Sequence, residues 1–325
     1  MPLISSSTYT PPWFLQNAHV QSIAPILVRR VAGIKYQRIR IETPDNDFLD
    51  LDYSCVGARR VGIVSHGLEG DSSRPYVLGM VRALNRRGWD AVAWNFRGCS
   101  GEPNRLLRSY HSGDTQDLHT VISSVLALGH YTQLALIGFS LGGNIALKYL
   151  GERGSDVASQ IIAAATFSVP CDLTSASHAM SRPSNAIYMT RFLTMLHRKI
   201  RWKMELFPGA IDDRGYRKIH TFKDFDNRYT APLNGFQDAE DYWQKASSKP
   251  VLADITVPSL LVSAADDPFL APACYPLDAA LENPNLFLEV PPHGGHVGFV
   301  TLSQDGTYWS EQRATDFLEA CANSG

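Results

Sequence analysis

The chain has 325 residues, of which 44% are hydrophobic and 19% are charged. Its formal net charge is −2, so it lacks the basic excess that is typical of nucleic-acid-binding proteins. The length is sufficient for one large hydrophobic core or two smaller ones. No stretch reaches the roughly 18 consecutive apolar residues of a membrane span, so the sequence predicts no integral membrane segment.

The N-terminus and the cysteines indicate a cytoplasmic location. The chain begins MPLISSSTYTPPWF, without the basic start and apolar run of a secretory signal peptide. Its five cysteines are scattered, odd in number and without the spacing of a zinc site or a disulfide framework. We therefore expect reduced thiols and no metal. Cys99 is expected to be structural rather than a second nucleophile, because no basic partner lies near it in the sequence.

The first predicted elements form a β-hairpin. Residues 35–55, KYQRIRIETPDNDFLDLDYSC, alternate apolar and polar side chains around a Pro-Asp-Asn-Asp turn. Short apolar runs then alternate with segments of helical periodicity. The predicted strands are RVGIVSHG, DAVAWNFRG, QLALIGFS, SQIIAAATFSVP, VPSLLVSAAD and NLFLEVPPHGGH, and the helices are PYVLGMVRALNRRG, TQDLHTVISSVLALG, GNIALKYLGERG and YWSEQRATDFLEAC. This alternation predicts an α/β fold with a mainly parallel sheet and helices on both faces.

The alternation is interrupted between residues 171 and 250. This region directly follows the sixth predicted strand, when the two strands of the hairpin are counted. We expect a helical cap insertion there, within a single domain that spans residues 1–325. The stretch IYMTRFLTMLHRKIRWKMELF has apolar side chains at helical spacing: Tyr188, Phe192, Leu196 and Ile200. Its basic residues are expected on a solvated face. A cap over an acyl-binding slot, or a contact with an anionic lipid surface, is compatible with the same pattern.

The stretch LALIGFSLGGN, residues 134–144, has the pattern G-x-S-x-G between a predicted strand and a predicted helix. This context is typical of a nucleophile elbow, in which a strained turn exposes the serine, here Ser140. Side chains at Gly138 and Gly142 would collide with the approaching helix. The alternative is a glycine-rich turn whose serine caps the helix.

Two possible partners for the serine follow in the order that such enzymes require, first an acid and then a histidine. ADDPF supplies Asp266 and Asp267, and HGGH supplies His293 and His296, each motif just past a predicted strand. We predict that Asp267 orients His296, which acts as the base, and that His293 is a loop residue. Asp266 remains an alternative acid, although it could instead cap the turn. Residues 294–295 are glycines, which should give the loop freedom to aim His296.

An oxyanion site needs two backbone N–H donors. The N–H of Leu141, directly after the serine, is the first candidate. The second is the N–H of Leu68 in the turn VSHGLEGDSS, after the first strand that follows the hairpin. The imidazole of His66 is expected only to support this turn.

Together these stretches resemble the YheT-like α/β-hydrolases, also called the AB hydrolase 4 family. The resemblance covers nearly the whole chain, in order, through PPWFLQNAHVQSIAP, SHGLEGDSSRPY, NFRGCSGEPNRLLRSYHSGDTQDL, GFSLGGN, ADDPF and HGGHVGF. It implies an α/β-hydrolase fold and a carboxylic ester hydrolase whose triad is Ser140, Asp267 and His296. Relatives are described as acting on short- to medium-chain esters, acylglycerols or phospholipids, and some as alcohol acyltransferases.

The sequence therefore predicts a cytoplasmic serine esterase of lipid metabolism that cleaves short- to medium-chain carboxylic esters through an acyl-enzyme. No metal or organic cofactor is required for this chemistry. The expected partner is a small-molecule ester or acylglycerol, with peripheral lipid contact and without nucleic acid. An alcohol O-acyltransferase would use the same triad, and a non-catalytic binding protein on this fold is the alternative outside enzymes.

Overall fold

A single mixed sheet organises the computed structural model, which describes residues 3–323. Within this range the strands are β1 (Leu3–Ile4), β2 (Gln37–Glu42), β3 (Phe48–Ser54), β4 (Arg60–Ser65), β5 (Asp90–Asn95), β6 (Gln133–Phe139), β7 (Ile161–Phe167), β8 (Ser259–Val262) and β9 (Leu286–Glu289). Their order is β1-β9-β8-β7-β6-β4-β5-β3-β2. Strand β3 is antiparallel to both of its neighbours, and all other pairs are parallel. The predicted hairpin and the mainly parallel sheet are confirmed.

The α-helices of the described range include the four that the alternating pattern predicts, and also helices at residues 18–28 and 277–282 that it does not predict. They are α1 (Ala18–Val28), α2 (Pro75–Arg86), α3 (Thr115–Leu126), α4 (Leu141–Arg153), α5 (Leu173–Met180), α6 (Ala186–Leu206), α7 (Phe222–Phe225), α8 (Ala231–Leu233), α9 (Ala239–Ala246), α10 (Leu277–Glu282) and α11 (Trp309–Ala322). In this part of the chain, none of the helices combines the length and the apolar character needed to cross a membrane.

Side chains of the central strands alternate between two hydrophobic cores, one on each face of the sheet. Ile63 and Leu136 pack in the core that includes α3 and α4. Their neighbours Val64 and Ile137 pack in the core that includes α2 and α11. Because both faces are covered, strands β4 and β6 are apolar along nearly their whole length, as parallel strands usually are.

Helices α5 to α9 lie between β7 and β8, in the region where the sequence predicts a cap. They surround an apolar cluster of their own, formed by Met180, Met189, Leu193, Ile200, Tyr216, Phe225 and Tyr229. The predicted amphipathic helix is present as α6. We refer to residues 173–246 as the insertion; its role as a cap within one domain stays a prediction at this point.

The expected solvated basic face of α6 is only partly correct. Arg191 and Arg198 are exposed, whereas Lys199 and Lys203 are buried against the core. The Lys203 ammonium donates to the side-chain and backbone oxygens of Asn104, at 2.6 and 3.1 Å. A lysine can bury its long aliphatic stem and still reach polar partners, which compensates for the loss of water.

Asn144 connects helix α4 to the loop before α3 and to the C-terminal end of the insertion. Its side-chain amide donates to the carbonyls of Ser112 and Ala246, each at 2.8 Å. Its oxygen accepts the N–H of Ser248 at 2.9 Å. The Asn144 side chain is completely buried, so none of these backbone groups can turn to water without a rearrangement.

We expect Asn144→Ala to lower the free energy of unfolding by about 2–4 kcal/mol, because it leaves buried backbone groups without partners. Urea unfolding followed by far-ultraviolet circular dichroism measures the loss. Gln312→Ala, on the exposed side of α11, is the control and should change stability by less than about 0.5 kcal/mol. Equal stabilities of the two variants would contradict the structural role of Asn144.

Candidate active site

Ser140 occupies a strained turn between β6 and α4. Its backbone dihedral angles are φ 52° and ψ −120°, a conformation that a residue with a side chain rarely adopts. The Ser140 N–H donates to the carbonyl of Phe167 at 2.8 Å, and its own carbonyl accepts the N–H of Gly143 at 2.9 Å. These bonds to β7 and α4 hold the turn in place, as the predicted nucleophile elbow requires.

The glycines around Ser140 allow three backbone segments to meet. A Cβ atom at Gly138 would lie 2.5 Å from the Cα of Gly143, so this glycine does admit the helix. A Cβ at Gly142 would instead lie 2.5 Å from the carbonyl oxygens of Ser65 and His66. The expected collision with the helix is therefore wrong for Gly142, which admits the end of β4, because α4 starts directly above that strand.

The structure brings Ser140, His296 and Asp267 together in a hydrogen-bonded row. The Ser140 Oγ lies 2.9 Å from the His296 Nε2, and the His296 Nδ1 lies 2.9 and 3.1 Å from the two carboxylate oxygens of Asp267. With Nδ1–H donating to the carboxylate, Nε2 is free to accept the serine proton. The Asp267 side chain is fully buried, which keeps the carboxylate on the histidine.

Asp266 and Asp267 point in different directions from the end of β8. The Asp266 carboxylate accepts the N–H of Gly295 at 2.9 Å and lies 3.2 Å from the Nδ1 of His293. It therefore braces the histidine loop, while Asp267 reaches His296. The geometry favours the predicted choice of Asp267 and places His293 outside the hydrogen-bonded row.

The loop that carries His296 is packed tightly against helix α1. Gly295 has φ 56°, and a Cβ there would lie 2.4 Å from the carbonyl oxygen of Ala18. The His296 N–H donates to the Ser22 Oγ at 2.8 Å, and Phe269 stacks on the imidazole at a centroid distance of 4.1 Å. The expectation that this loop gains freedom from glycine is therefore wrong, since the glycine serves a close approach that fixes the loop.

The turn after β4 leaves one of three successive backbone N–H groups without a protein acceptor. The Gly67 N–H donates to the Tyr76 hydroxyl and the Glu69 N–H to the Tyr110 hydroxyl, both at 2.9 Å. Within residues 3–323, the N–H of Leu68 between them has no acceptor, and neither has that of Leu141. The turn lies beside the serine, because a Cβ at Gly67 would be 3.3 Å from the Ser140 Cβ. These are the two donors that the sequence predicts.

The His66 imidazole fixes the direction of the Leu68 N–H. The Phe96 N–H donates to the His66 Nε2 at 3.2 Å, so the proton is on Nδ1, which donates to the Gly67 carbonyl at 2.8 Å. Burial lowers the pKa of His66 to about 3, which keeps the ring neutral. Because a trans peptide holds C=O and N–H in opposite directions, fixing the Gly67 carbonyl also fixes the Leu68 N–H. This is the supporting role expected for His66.

Two cavities meet at the serine and share the residues Leu68, Ser140, Phe192, Phe269 and His296. The first, the insertion cavity, has a volume of about 150 Å³ and is lined mainly by apolar side chains of the insertion, among them Met180, Leu196, Phe222, Phe225, Tyr229 and Leu233. The second, the helix-1 cavity, has a volume of about 220 Å³ and lies between α1, α6 and the turn after β4. The serine hydroxyl is thus accessible from two sides.

Several residues of the site were not identified from the sequence. Ser22 and Phe269 position the imidazole, and Tyr76 and Tyr110 take up the N–H groups on either side of Leu68. Both tyrosines lie in the quoted stretches SHGLEGDSSRPY and RSYHSGD, so the motifs contained a signal for them. The pattern alone gives no reason for assigning them a role, because it does not show that the hydroxyls of these residues, 9 and 41 positions along the chain, meet the N–H groups of Gly67 and Glu69.

Comparison with known proteins shows which family the chain resembles along its length. The family model described as alpha/beta hydrolase fold matches residues 63–301. The putative esterase YheT of Escherichia coli K12 is 35% identical over 322 residues, which cover 97% of this chain and 94% of that protein. Human phospholipase ABHD3 is 29% identical over 309 residues, covering 92% of this chain and 75% of that protein.

Among solved structures, the esterase Pf2001 of Pyrococcus furiosus has the same fold. It superposes with a TM-score of 0.60 at 16% sequence identity, over 96% of this chain and 99% of the esterase. At this level of identity the match concerns the fold alone. The family model and the similarity to YheT along almost the whole chain, together with the nine-stranded sheet of residues 3–323, establish that this chain belongs to the α/β-hydrolase family.

Proposed function

We propose that the protein is a serine esterase that cleaves short- to medium-chain carboxylic esters. The observation that supports this most strongly is the hydrogen-bonded row of Ser140, His296 and Asp267 beside the unoccupied N–H groups of Leu68 and Leu141. A non-catalytic binding protein has no need of this combination of a strained serine, a base and two donors. The names of the relatives, esterase and phospholipase, are in keeping with ester hydrolysis.

In the proposed mechanism, the His296 Nε2 takes the Ser140 proton as the Oγ attacks the ester carbonyl. The N–H groups of Leu68 and Leu141 stabilise the oxyanion of the tetrahedral intermediate, and Asp267 stabilises the imidazolium. His296 then returns the proton to the departing alkoxide, which leaves an acyl-enzyme. A water molecule, deprotonated by the same imidazole, releases the acid and regenerates the serine.

We further propose that residues 171–250, which contain the insertion, form the cap of a single domain spanning residues 1–325, and that the insertion cavity holds the acyl chain. Its apolar lining suits a hydrocarbon chain, and its volume of about 150 Å³ favours a short or medium one. The location proposed for this activity is the cytoplasm, which is consistent with the free thiols of all five cysteines.

Hydrolysis of p-nitrophenyl esters from acetate to palmitate tests the proposed activity. We expect turnover to peak at a short or medium acyl chain and to fall by roughly 10⁴- to 10⁶-fold in Ser140→Ala, since the nucleophile is lost. Labelling of the wild-type protein, but not of the variant, by a fluorophosphonate is the parallel measurement. A folded wild-type protein that neither hydrolyses any ester nor reacts with the probe would contradict the proposal.

Substitutions of the two neighbouring aspartates test the assignment of the acid. We expect Asp267→Asn to lower kcat by about 10³- to 10⁴-fold, because an amide neither stabilises the imidazolium nor selects the correct tautomer. The matched control is Asp266→Asn, which removes a carboxylate from the adjacent position and should change kcat far less. Steady-state kinetics of both variants on the best ester decide the matter, and a larger loss in Asp266→Asn would reverse the assignment.

Peripheral contact with anionic lipid is the third part of the proposal. The helix-1 cavity is bordered by α1 and the start of α6, and these helices and the turn before α1 carry exposed apolar side chains: Trp13, Phe14, Val20, Ile26, Leu27, Val28 and Ile187. Residues 1–41 and 173–204 contain no aspartate or glutamate. Arg30 and Arg191 are exposed and have no ion-pair partner within residues 3–323. Aromatic and aliphatic side chains next to unpaired arginines suit an anionic bilayer surface.

Vesicle binding tests this contact. We expect the protein to cosediment with vesicles containing phosphatidylglycerol, and Trp13→Ser and Ile187→Ser each to weaken binding by about tenfold through loss of buried apolar area. Leu281→Ser is the control, because Leu281 is similarly exposed but lies on α10, away from the cavity. Equal binding by all four proteins, or no preference for anionic over neutral vesicles, would refute the contact.

A further inference from the structure

Glu69 is a buried acid in the turn that carries the Leu68 N–H. It directly follows Leu68, has a left-handed backbone with φ 54°, and is 4% exposed. The Tyr110 hydroxyl accepts the Glu69 N–H at 2.9 Å and donates to the Glu69 Oε1 at 2.8 Å. A buried carboxylate in a strained backbone requires partners that compensate for its lost hydration.

The positive partner of this acid comes from the insertion. Lys199 of α6 places its Nζ 2.8 Å from the Glu69 Oε1, and the side chain of Lys199 is itself buried. The ammonium lies 4.6 Å from the ring centroid of Tyr110 and donates to the Cys99 Sγ at 2.8 Å. Burial raises the pKa of the Cys99 thiol to about 11, so Glu69 is the charge that balances the lysine. We call Glu69, Lys199, Tyr110 and Cys99 the Glu69 cluster.

The Glu69 cluster is separate from the hydrogen-bonded row, because none of its side chains is bonded to Ser140, His296 or Asp267. Its connection with the chemistry passes through the backbone. His66 fixes the peptide on the N-terminal side of Leu68, and Glu69 anchors the residue on the other side. The turn is therefore held from the core on one side and from the insertion on the other.

We propose that Lys199 is a positioning residue that keeps the Leu68 N–H directed at the reacting carbonyl oxygen. The lysine neutralises Glu69. Because Lys199 lies on α6, the oxyanion site forms correctly only when this helix is packed against the core. This inference rests on the proposed esterase function. Removing the cation would leave the buried Glu69 carboxylate without its ion-pair partner, because Arg74 donates to the backbone carbonyl of Glu69 at 2.9 Å and not to the carboxylate. The turn would then rearrange to hydrate the acid.

Lys199→Met, which keeps an unbranched apolar stem and removes the charge, tests the proposal in kinetic terms. We expect kcat on the best p-nitrophenyl ester to fall by about 10- to 100-fold with KM nearly unchanged, because the lost interaction exists only in the transition state. Lys199→Arg should recover much of the loss by restoring the charge. A Lys199 that contacted substrate directly, which is possible because it lines the insertion cavity, would instead change KM.

Lys203→Met is the matched control. Lys203 lies one helical turn further along α6 and is also buried, but it binds Asn104 and the Leu106 carbonyl rather than the turn after β4. Its replacement should lower thermal stability and leave kcat nearly intact. Equal losses of kcat in the two variants would show that general loosening of α6 is responsible, and would overturn the positioning role of Lys199.

Glu69→Gln and Tyr110→Phe supply a readout that does not depend on the folding of Lys199→Met, and a double-mutant cycle adds a second one when that variant folds. Glu69→Gln and Tyr110→Phe should each lower kcat without raising KM, and Lys199→Met combined with Glu69→Gln should lose no more activity than Lys199→Met alone. Additive losses, or a wild-type kcat in Tyr110→Phe, would overturn the proposal. A wild-type protein that lacks activity and fluorophosphonate labelling would refute the esterase function itself, which is a distinguishable outcome.

Discussion

The site depends on the close approach of three backbone segments at the start of helix α4. Gly138 lets α4 descend onto the end of β6, and Gly142 lets it pass over the end of β4. A methyl group at either position would overlap backbone atoms, which cannot be moved aside as a flexible side chain can. The strained positive φ of Ser140 follows from this geometry, and so does the short distance between the serine and the turn after β4. The packing of the sheet supplies the stability that holds such strain.

Much of this could be predicted because the relevant residues lie directly after predicted strands. In a parallel sheet the carboxyl ends of the strands share one edge, so Ser140 after β6, Asp267 after β8 and His296 after β9 have to come close together. The alternation of strands and helices likewise predicts the sheet, and the alternation of apolar and polar residues around a turn predicts the hairpin. The pattern does not by itself distinguish Asp266 from Asp267, because adjacent residues in a turn differ only in the direction of their side chains. The structure separates them by their partners, His293 and His296.

The remainder of the site could not be read from local patterns. Periodicity shows that a lysine lies on the polar side of a helix, but not that the core offers it an acceptor. Lys199 points inward because it pairs with Glu69, and Lys203 does so because it binds Asn104. Each partner is about a hundred residues or more away in the chain. Cys99 also has a basic neighbour, Lys199, which is 100 residues distant in the chain. A search for basic residues near Cys99 in the sequence therefore does not find it. Gly295 is a third case, because its close contact with α1, a segment distant in the sequence, determines why a glycine is needed there.

The meeting of two cavities at Ser140 has a consequence for the second half of the proposed reaction. If the acyl chain fills the insertion cavity, the alcohol has to depart through the helix-1 cavity, and the next nucleophile has to arrive by the same route. The side chains that line the helix-1 cavity then decide whether water or another alcohol reaches the acyl-enzyme first. A hydrolase and an acyltransferase would then differ in which acceptor, water or an alcohol, the helix-1 cavity admits, while their reacting groups remain the same.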